Sequence, residues 1–539
     1  MNSEILVGFL FYLALLAYIG WWANKYTKTE DQYFVGGRKV HVLAATLSDK
    51  ASDFSGWLML GYPGSAFKTG LGAFWAAVGC LFGTLADYVL IGPRLRIYAG
   101  KFRAITVPDF LEARLKDDTK LIRILSAIII LVFMTAYVAA QFTAGGKTFA
   151  EGFGISDNMG ILITVIILTA YVITGGFFAV VWTDVVQAMF MLLTLLIVPF
   201  LALAEIGGFD RATQIIASAD PTKLDPFGGA TGWAAIIFAI GYASWIVGYL
   251  GQPHIVTRYM SVEDPRKLRR PGIFISGTWT ILVLWGAFFA GFLGFAMYQA
   301  GMLQVSDPEK VIPAMAVELM PGWLAGFVIA GIISAVMSTA DSQLLVASSA
   351  IARDFYHKVL GRELGKKQMV NISRLVVAGV ALVGLWFALT GNKVVYEMVA
   401  TAWGGLAVGF GPILVLSLWW KRVTKEGAIV GMAYGLISEV LLEAKVYGWA
   451  FNPNAPGFFG TIGSWFSGVP VFFINFFVTL FVIILVSLFT KPLEDVVRLH
   501  EEIFSKVSVQ GAGRKSITET RAKSQVENVV DFVLAKGLA

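Results

Sequence analysis

Residues 45–64 read ATLSDKASDFSGWLMLGYPG, a stretch with the length and apolar flanks of a membrane-crossing helix that carries seven polar or charged residues between Ala45 and Ser55. Lipid cannot hydrogen-bond a loosened backbone or solvate a charge. Such a segment survives at membrane depth only where protein covers it or where it lines a cavity. The stretch therefore points to a solute pathway through a bundle of helices.

Composition sets the same frame. Of 539 residues, 57% are hydrophobic and 14% charged, and the mean hydropathy is +0.71. That is too apolar for soluble domains and indicates an all-α, polytopic membrane protein. Windows of apolar residues give thirteen candidate spans, near 4–23, 41–66, 70–92, 124–147, 157–178, 181–205, 232–254, 271–299, 322–350, 373–391, 395–419, 426–444 and 468–490. The first has no basic residue before it and no small-residue cleavage site after it, so it reads as a retained anchor. Cys80 is the single cysteine and lies within a span, which excludes an intramolecular disulfide and suggests packing.

An odd number of spans puts the termini on opposite faces. With the N-terminus outside, 34 of the 42 Lys and Arg residues fall in or at the edge of the segments after spans 1, 3, 7, 9, 11 and 13. This bias predicts a multi-pass protein of the plasma (inner) membrane with a cytoplasmic C-terminus. It accounts for the net charge of +6 and pI near 9.1 without any nucleic-acid partner. On that basic face, 107–123 (VPDFLEARLKDDTKLIR) reads as one amphipathic helix lying at the surface. The sequence divides into a membrane domain over 1–490 and a mixed-charge cytoplasmic tail over 491–539, expected to be partly helical or disordered.

A second interrupted span, 241–254 (GYASWIVGYLGQPH), lies five spans after the first. Paired broken helices at matching positions are the mark of inverted-repeat transporters, which hold their substrate between the breaks. The repeats would be the five-helix units at about 41–205 and 232–419. In the first break, Ala51–Gly56 offers hydroxyls, a carboxylate and freed carbonyls, the hard oxygens that replace a cation's water shell. Asp53 reads as functional, although Lys50 three residues earlier is placed to pair with it; for Asp49 and Lys50 a structural pairing is the simpler reading. In the ninth span Ser334, Ser338 and Ser342 recur every four residues on one face. Hydroxyls at this spacing often only bond back to the preceding turn. The adjacent Ser338–Thr339 pair, followed by Asp341, is the other source of cation oxygens. Asp184, at the entry to the sixth span, is a further candidate, with a helix cap as its rival role. Trp245, Tyr249 and Pro253 are spaced by four and would share a face as an apolar wall for a small ligand, loosened by the proline. Tyr137 alone would read as core.

No nucleotide-binding, zinc or hydrolase motif is present, so the chain reads as no enzyme and its transport must run on an ion gradient. One monovalent cation crossing about 100 mV gains ~2.3 kcal/mol. A tenfold concentration gradient adds ~1.4 kcal/mol, and together they sustain roughly 500-fold accumulation of a neutral solute.

Five landmarks in order, 33–38 (YFVGGR), 51–57 (ASDFSGW), 182–188 (WTDVVQA), 248–254 (GYLGQPH) and 337–345 (MSTADSQLL), resemble the sodium:solute symporter family, most closely its sodium/proline branch. The resemblance spans nearly the whole membrane region and implies the leucine-transporter-type fold with broken helices 2 and 7. It also implies a co-transported sodium ion held by backbone oxygens of Ala51, Phe54 and Ala335 with the hydroxyls of Ser338 and Thr339. By the same resemblance Asp53 couples sodium to substrate, Ser55 contacts substrate, Tyr137, Trp245, Tyr249 and Pro253 form a proline pocket, and Arg38 is a cytoplasmic residue needed for transport. The implied activity is inward symport of L-proline by alternating access. Three positions depart from the branch. Phe54 replaces the usual methionine, which leaves a carbonyl ligand in place. Asp341 stands where several proline carriers have serine and, with Asp184 and Ser342, marks a possible second sodium site. Asp49 and Lys50 stand where many relatives have small residues. Rival readings keep the mechanism and change the solute to pantothenate, another amino acid or a sugar; a proton-coupled carrier, a channel and a sensor lie further off.

Overall fold

The structure is a computed structural model that describes residues 3–24, 36–174, 177–362, 365–443 and 468–504. The first part of the 33–38 landmark and the tail beyond 504 lie outside the described residues. Helices dominate, and the only strand-like pairing among the described residues is an isolated bridge between Val40 and Val262.

The first break forms as its sequence suggests. Helix α1 (Ser3–Asn24) is followed by α2 (Val42–Asp53), which starts where the His41 side chain accepts the Leu43 amide and ends as Phe54 leaves helical angles (φ −87°, ψ 80°). The Ser55 hydroxyl accepts the Trp57 amide at 3.1 Å, restarting the helix as a π turn over Trp57–Gly61 that runs into α3 (Tyr62–Thr69). At Gly56 a Cβ would lie 2.5 Å from that of Ala144, so the break can press against its neighbour only because the residue is glycine.

Helices α4 (Phe74–Leu90), α5 (Gly92–Phe102), α6 (Val107–Leu115), α7 (Leu121–Phe153), α8 (Asp157–Thr174) and α9 (Phe177–Ile206) complete the first half. The helix expected over 107–123 is really two elements. Lys116, in the left-handed region at φ 50°, ends α6, and α7 starts anew at Leu121. Nor does α6 lie on the surface, since Phe110, Leu111, Arg114 and Leu115 are buried.

The second break differs in form from its expectation. Helix α10 (Gly232–Ala243) tightens into a 3₁₀ stretch over Ser244–Gly251, the chain leaves helical angles at Gln252 (φ −89°, ψ 104°), and α11 (Pro253–Ser261) begins with the proline. Pro253 thus starts a helix, where its missing amide is harmless, and does not loosen one. Gln252 Nε2 donates to the Gly248 and Trp403 carbonyls, both at 3.1 Å, and so satisfies the broken backbone.

Then follow α12 (Arg270–Gln299), α13 (Val311–Leu319), α14 (Gly322–Ser349), α15 (Lys366–Thr390), α16 (Val395–Trp419), α17 (Lys425–Glu443) and α18 (Val471–Phe489). Helix α14 packs on α7, α9, α1 and α2, while the 3₁₀ stretch packs between α4 and α16. Both breaks are therefore enclosed by long helices. Ten helices among the described residues are long and apolar enough to cross a membrane, against thirteen expected. The polar first half of the broken span leaves its apolar half to merge with α4 and α5, α8 borders residues outside the described ones, and α17 is less apolar.

Residues 494–504 are helical and dock on the basic face. His500 Nδ1 accepts from Tyr98 Oη at 2.7 Å and from Arg114 at 3.1 Å, and Lys101, Lys116 and Lys421 pair with Glu502, Asp495 and Glu501.

Candidate transport site

At the first break α2 and α14 run side by side, and their polar groups meet. Ser338 Oγ donates to the Ala51 carbonyl at 2.7 Å and lies 3.3 Å from the Ala335 carbonyl. Thr339 Oγ1 donates to the carbonyl of Ser52 at 3.0 Å, so its partner here is not Phe54, the ligand expected beside it. All of these residues are buried. The set offers carbonyls and hydroxyls with no fixed charge, which suits a monovalent hard cation once the two hydroxyls turn aside the protons they give to the carbonyls. Ser52, absent from the expected ligand set, supplies the carbonyl that Thr339 bonds.

The possible second sodium site has another occupant. Arg258, buried on α11, reaches between α2, α9 and α14. Its NH2 lies 3.2 Å from Asp184 Oδ2, donates to Ser52 Oγ at 2.7 Å and bonds Ser342 Oγ, while its Nε lies 3.3 Å from Ser48 Oγ. Ser48 in turn donates to Asp184 at 2.6 Å, and Ser342 reaches Asp341 Oδ1 at 3.0 Å. The guanidinium supplies the positive charge that Asp184 and Ser342 call for.

Beyond the break lies a narrow, nearly filled cavity whose walls include Asp53, Ser55, Tyr137, Trp245 and Tyr249. Phe54, Trp57, Trp403, Val399 and Cys80 complete it. The indoles of Trp57 and Trp245 lie 4.7 Å apart by ring centre, and Tyr249 meets Trp403 edge-on at 5.0 Å. Trp245 Nε1 donates to Tyr396 Oη at 3.1 Å, tying α16 across the top. The Asp53 carboxylate accepts from Lys50 at 2.7 Å. Pro253 is not brought to this cavity. It lines a second one, toward the basic face, together with Thr257, Arg258 and Ser342, because the chain leaves helical angles at Gln252, between Tyr249 and Pro253.

That second cavity is floored by ionic contacts. Thr106 donates to Asp354 at 3.1 Å, and Arg123 joins Asp354, Asp109 and Glu112 at 2.5, 2.9 and 2.5 Å. Arg353 also bonds Asp109. Burial pushes the Asp109 carboxyl up, but Arg353 and Arg123 more than offset it and hold the group below the usual carboxylate range. Arg38 donates to the Ala104 carbonyl at 2.7 Å beside this floor and does not line the first cavity. On the opposite face Lys147 pairs with Glu309 at 2.6 Å, and Glu309 accepts the amides of Val395 and Tyr396 at the start of α16, both at 2.9 Å.

The model of the sodium:solute symporter family matches residues 33–435. The chain belongs to this family. It is 36% identical over 474 residues to the sodium/proline symporter of Escherichia coli (strain K12), covering 86% of this chain and 92% of that protein. Two Bacillus subtilis (strain 168) proteins are similarly related. The osmoregulated proline transporter OpuE is 36% identical over 81% of this chain and 88% of its own length, and the high-affinity proline transporter PutP 38% over 78% and 89%. The fold is that of a solved Na⁺-coupled sialic acid symporter in a substrate-bound, outward-open state (TM-score 0.71, 21% identity, 91% of this chain and 98% of that one). The chain is thus a multi-pass sodium symporter of leucine-transporter-type fold, and not an enzyme.

Within this symporter several residues were missed from sequence, each for its own reason. Trp403 and Tyr396 sit in an unbroken apolar span whose pattern does not mark one face as special. Trp57 was visible within 51–57 but read only as a landmark. Arg258 fell in a segment assigned to the basic connection after the seventh span, and only its burial reveals that it points back into the core. Cys80, read as packing, borders the cavity.

Proposed function

We propose that this symporter imports L-proline with one sodium ion per cycle by alternating access. The observation that carries the substrate is the match, over 86% of this chain and 92% of its own length, to a sodium/proline symporter. The small cavity with a carboxylate, a hydroxyl and apolar aromatic walls supports it, since proline joins a compact apolar ring to a charged head. Sodium is held by oxygens of Ala51, Phe54, Ala335, Ser338 and Thr339, with Ser52 as an added candidate. Asp53 couples that ion to the substrate. Solute lies against Ser55, Tyr137, Trp245 and Tyr249. Arg258 beside Asp184 and Ser342 supports a single sodium, because a second cation there must first displace the guanidinium.

In the cycle, sodium bound between α2 and α14 fixes the first break. Proline then draws Trp245 and Tyr396 over the cavity, and parting of the Arg123–Asp354 contacts opens the way to the cytoplasm. The N-terminus lies outside and the C-terminus inside, with residues 1–490 forming the transport unit, its repeats at about 41–205 and 232–419, and 491–539 its tail. Uptake of labelled L-proline by cells lacking their own proline carriers tests the substrate. Saturable uptake displaced by unlabelled proline, and not by pantothenate, glucose or other amino acids, is expected. Uptake displaced equally by one of these refutes the proline assignment.

A further inference from the structure

Lys50 is left without a task by the cycle above, yet its placement is specific. It is 1% exposed, and its ammonium donates to Asp53 Oδ2 at 2.7 Å and to Thr84 Oγ1 at 3.4 Å. The same nitrogen lies 5.5 Å from the ring centres of both Phe54 and Tyr249. Asp53, Phe54 and Tyr249 all line the ligand cavity, so Lys50 stands directly behind its wall. Two other carboxylates share the neighbourhood and have other partners. Asp49 is 3.6 Å from Lys50 and accepts from Tyr88 at 2.8 Å, while Asp87 accepts from Tyr259 at 2.6 Å. The closest ionic contact of Lys50 is thus the one carboxylate that borders the cavity.

Without that ammonium the cavity would have the chemistry of a cation site. Trp57, Trp245, Trp403 and Tyr249 present aromatic rings, and Asp53 a negative charge. Aromatic faces and a carboxylate together attract organic cations, quaternary ammoniums above all. An ammonium within hydrogen-bonding distance of the carboxylate removes the net charge of the pair and leaves a dipole, and in a medium of low polarity repulsion from Lys50 then offsets much of the attraction of Asp53 for an added cation. A zwitterion brings no net charge and can align with that dipole.

We propose that Lys50 is a specificity-determining residue of this cavity: it neutralises Asp53, so that the site accepts zwitterionic solutes and turns away organic cations. The inference rests on the reading of the cavity as the substrate site. A purely structural ion pair would change protein yield and stability on substitution but not the order in which solutes of different charge bind.

The test compares binding of proline, choline and cyclopentanecarboxylate, which represent a zwitterion, a cation and an anion. Ligand-induced thermal shifts of the purified full chain in sodium buffer give the affinities. Lys50→Met, which keeps the stem and removes the charge, is expected to raise choline affinity relative to proline at least tenfold. Lys50→Arg is expected to keep the wild-type order, and Lys50→Met with Asp53→Asn to lose the gain for choline. Asp53→Asn alone removes the closest countercharge of Lys50 and is expected to gain at least tenfold for cyclopentanecarboxylate, which provides an independent arm should Lys50→Met fail to fold. A choline-to-proline ratio unchanged in Lys50→Met, a gain that persists in the double variant, or no gain for the anion in Asp53→Asn overturns the proposal. Wild-type protein that binds another zwitterion in place of proline overturns the proline assignment alone, and the same ratios are then read with that solute.

Discussion

Replacing Ser338 by alanine removes one oxygen from the proposed sodium site and little else. The residue lies within α14, where alanine is a better helix former than serine, and its hydroxyl faces the Ala51 carbonyl at 2.7 Å. A polar contact to a charged partner contributes about 1.5–3 kcal/mol. With tenfold per ~1.4 kcal/mol, its loss raises the sodium concentration for half-maximal uptake roughly ten- to a hundredfold. Proline affinity at saturating sodium stays close to wild type, because Ser338 is not among the cavity residues. The assay is initial-rate uptake of labelled proline over a wide range of sodium concentration, with protein amount normalised. Thr339→Ala shifts the curve in the same direction, since its hydroxyl serves the neighbouring Ser52 carbonyl. An unchanged sodium dependence in both variants would refute the ligand assignment and turn attention to proton coupling through the buried aspartates.

Three further perturbations probe other parts of the account. Arg258→Met strands Asp184 without its buried countercharge, which costs about 3–5 kcal/mol in comparable cases; a thermal midpoint lowered by several degrees, recovered in part by adding Asp184→Asn, is expected, and an unshifted midpoint contradicts it. Trp245→Phe and Tyr396→Phe each remove the same 3.1 Å hydrogen bond over the cavity, worth ~1 kcal/mol. Each should raise the proline KM about fivefold, and the double variant should be no worse than either single one, as measured by a double-mutant cycle. Burial, and then Arg114 and Arg94, hold the His500 imidazole down from 6.5 to about 4 in the docked tail helix. Because the released helix takes up protons first, docking is fully present above pH 6.5 and weakens as pH falls toward about 4. Faster proteolysis of the tail at pH 5 than at pH 7.5, absent in His500→Gln, is the expected result, and equal rates in the wild type contradict it.

The parts of this architecture that were legible in the sequence are those where local chemistry conflicts with lipid. Polar residues at membrane depth located the first break, glycines with Pro253 the second, and the resemblance to the symporter family set Ser338 beside Ala51. What stayed hidden depends on tertiary direction. The turn of the chain at Gln252 carries Pro253 to a different cavity from Trp245 and Tyr249, and no residue preference announces its direction. Lys116 ends α6 in a left-handed conformation that glycine or asparagine would have signalled and lysine does not. Arg258 follows a helix break closely, where sequence cannot say whether a cation turns to the surface or to the core. The tail helix pairs with Lys101, Lys116 and Lys421, all outwardly ordinary surface residues.

Sodium-driven accumulation of labelled L-proline in proteoliposomes containing only this protein measures the central claim most directly. With an inward sodium gradient and a negative interior, proline should rise above the outside concentration and discharge when the gradient is collapsed. Equal filling with sodium or potassium on the outside, or accumulation that follows an imposed proton gradient in sodium-free buffer, would contradict it.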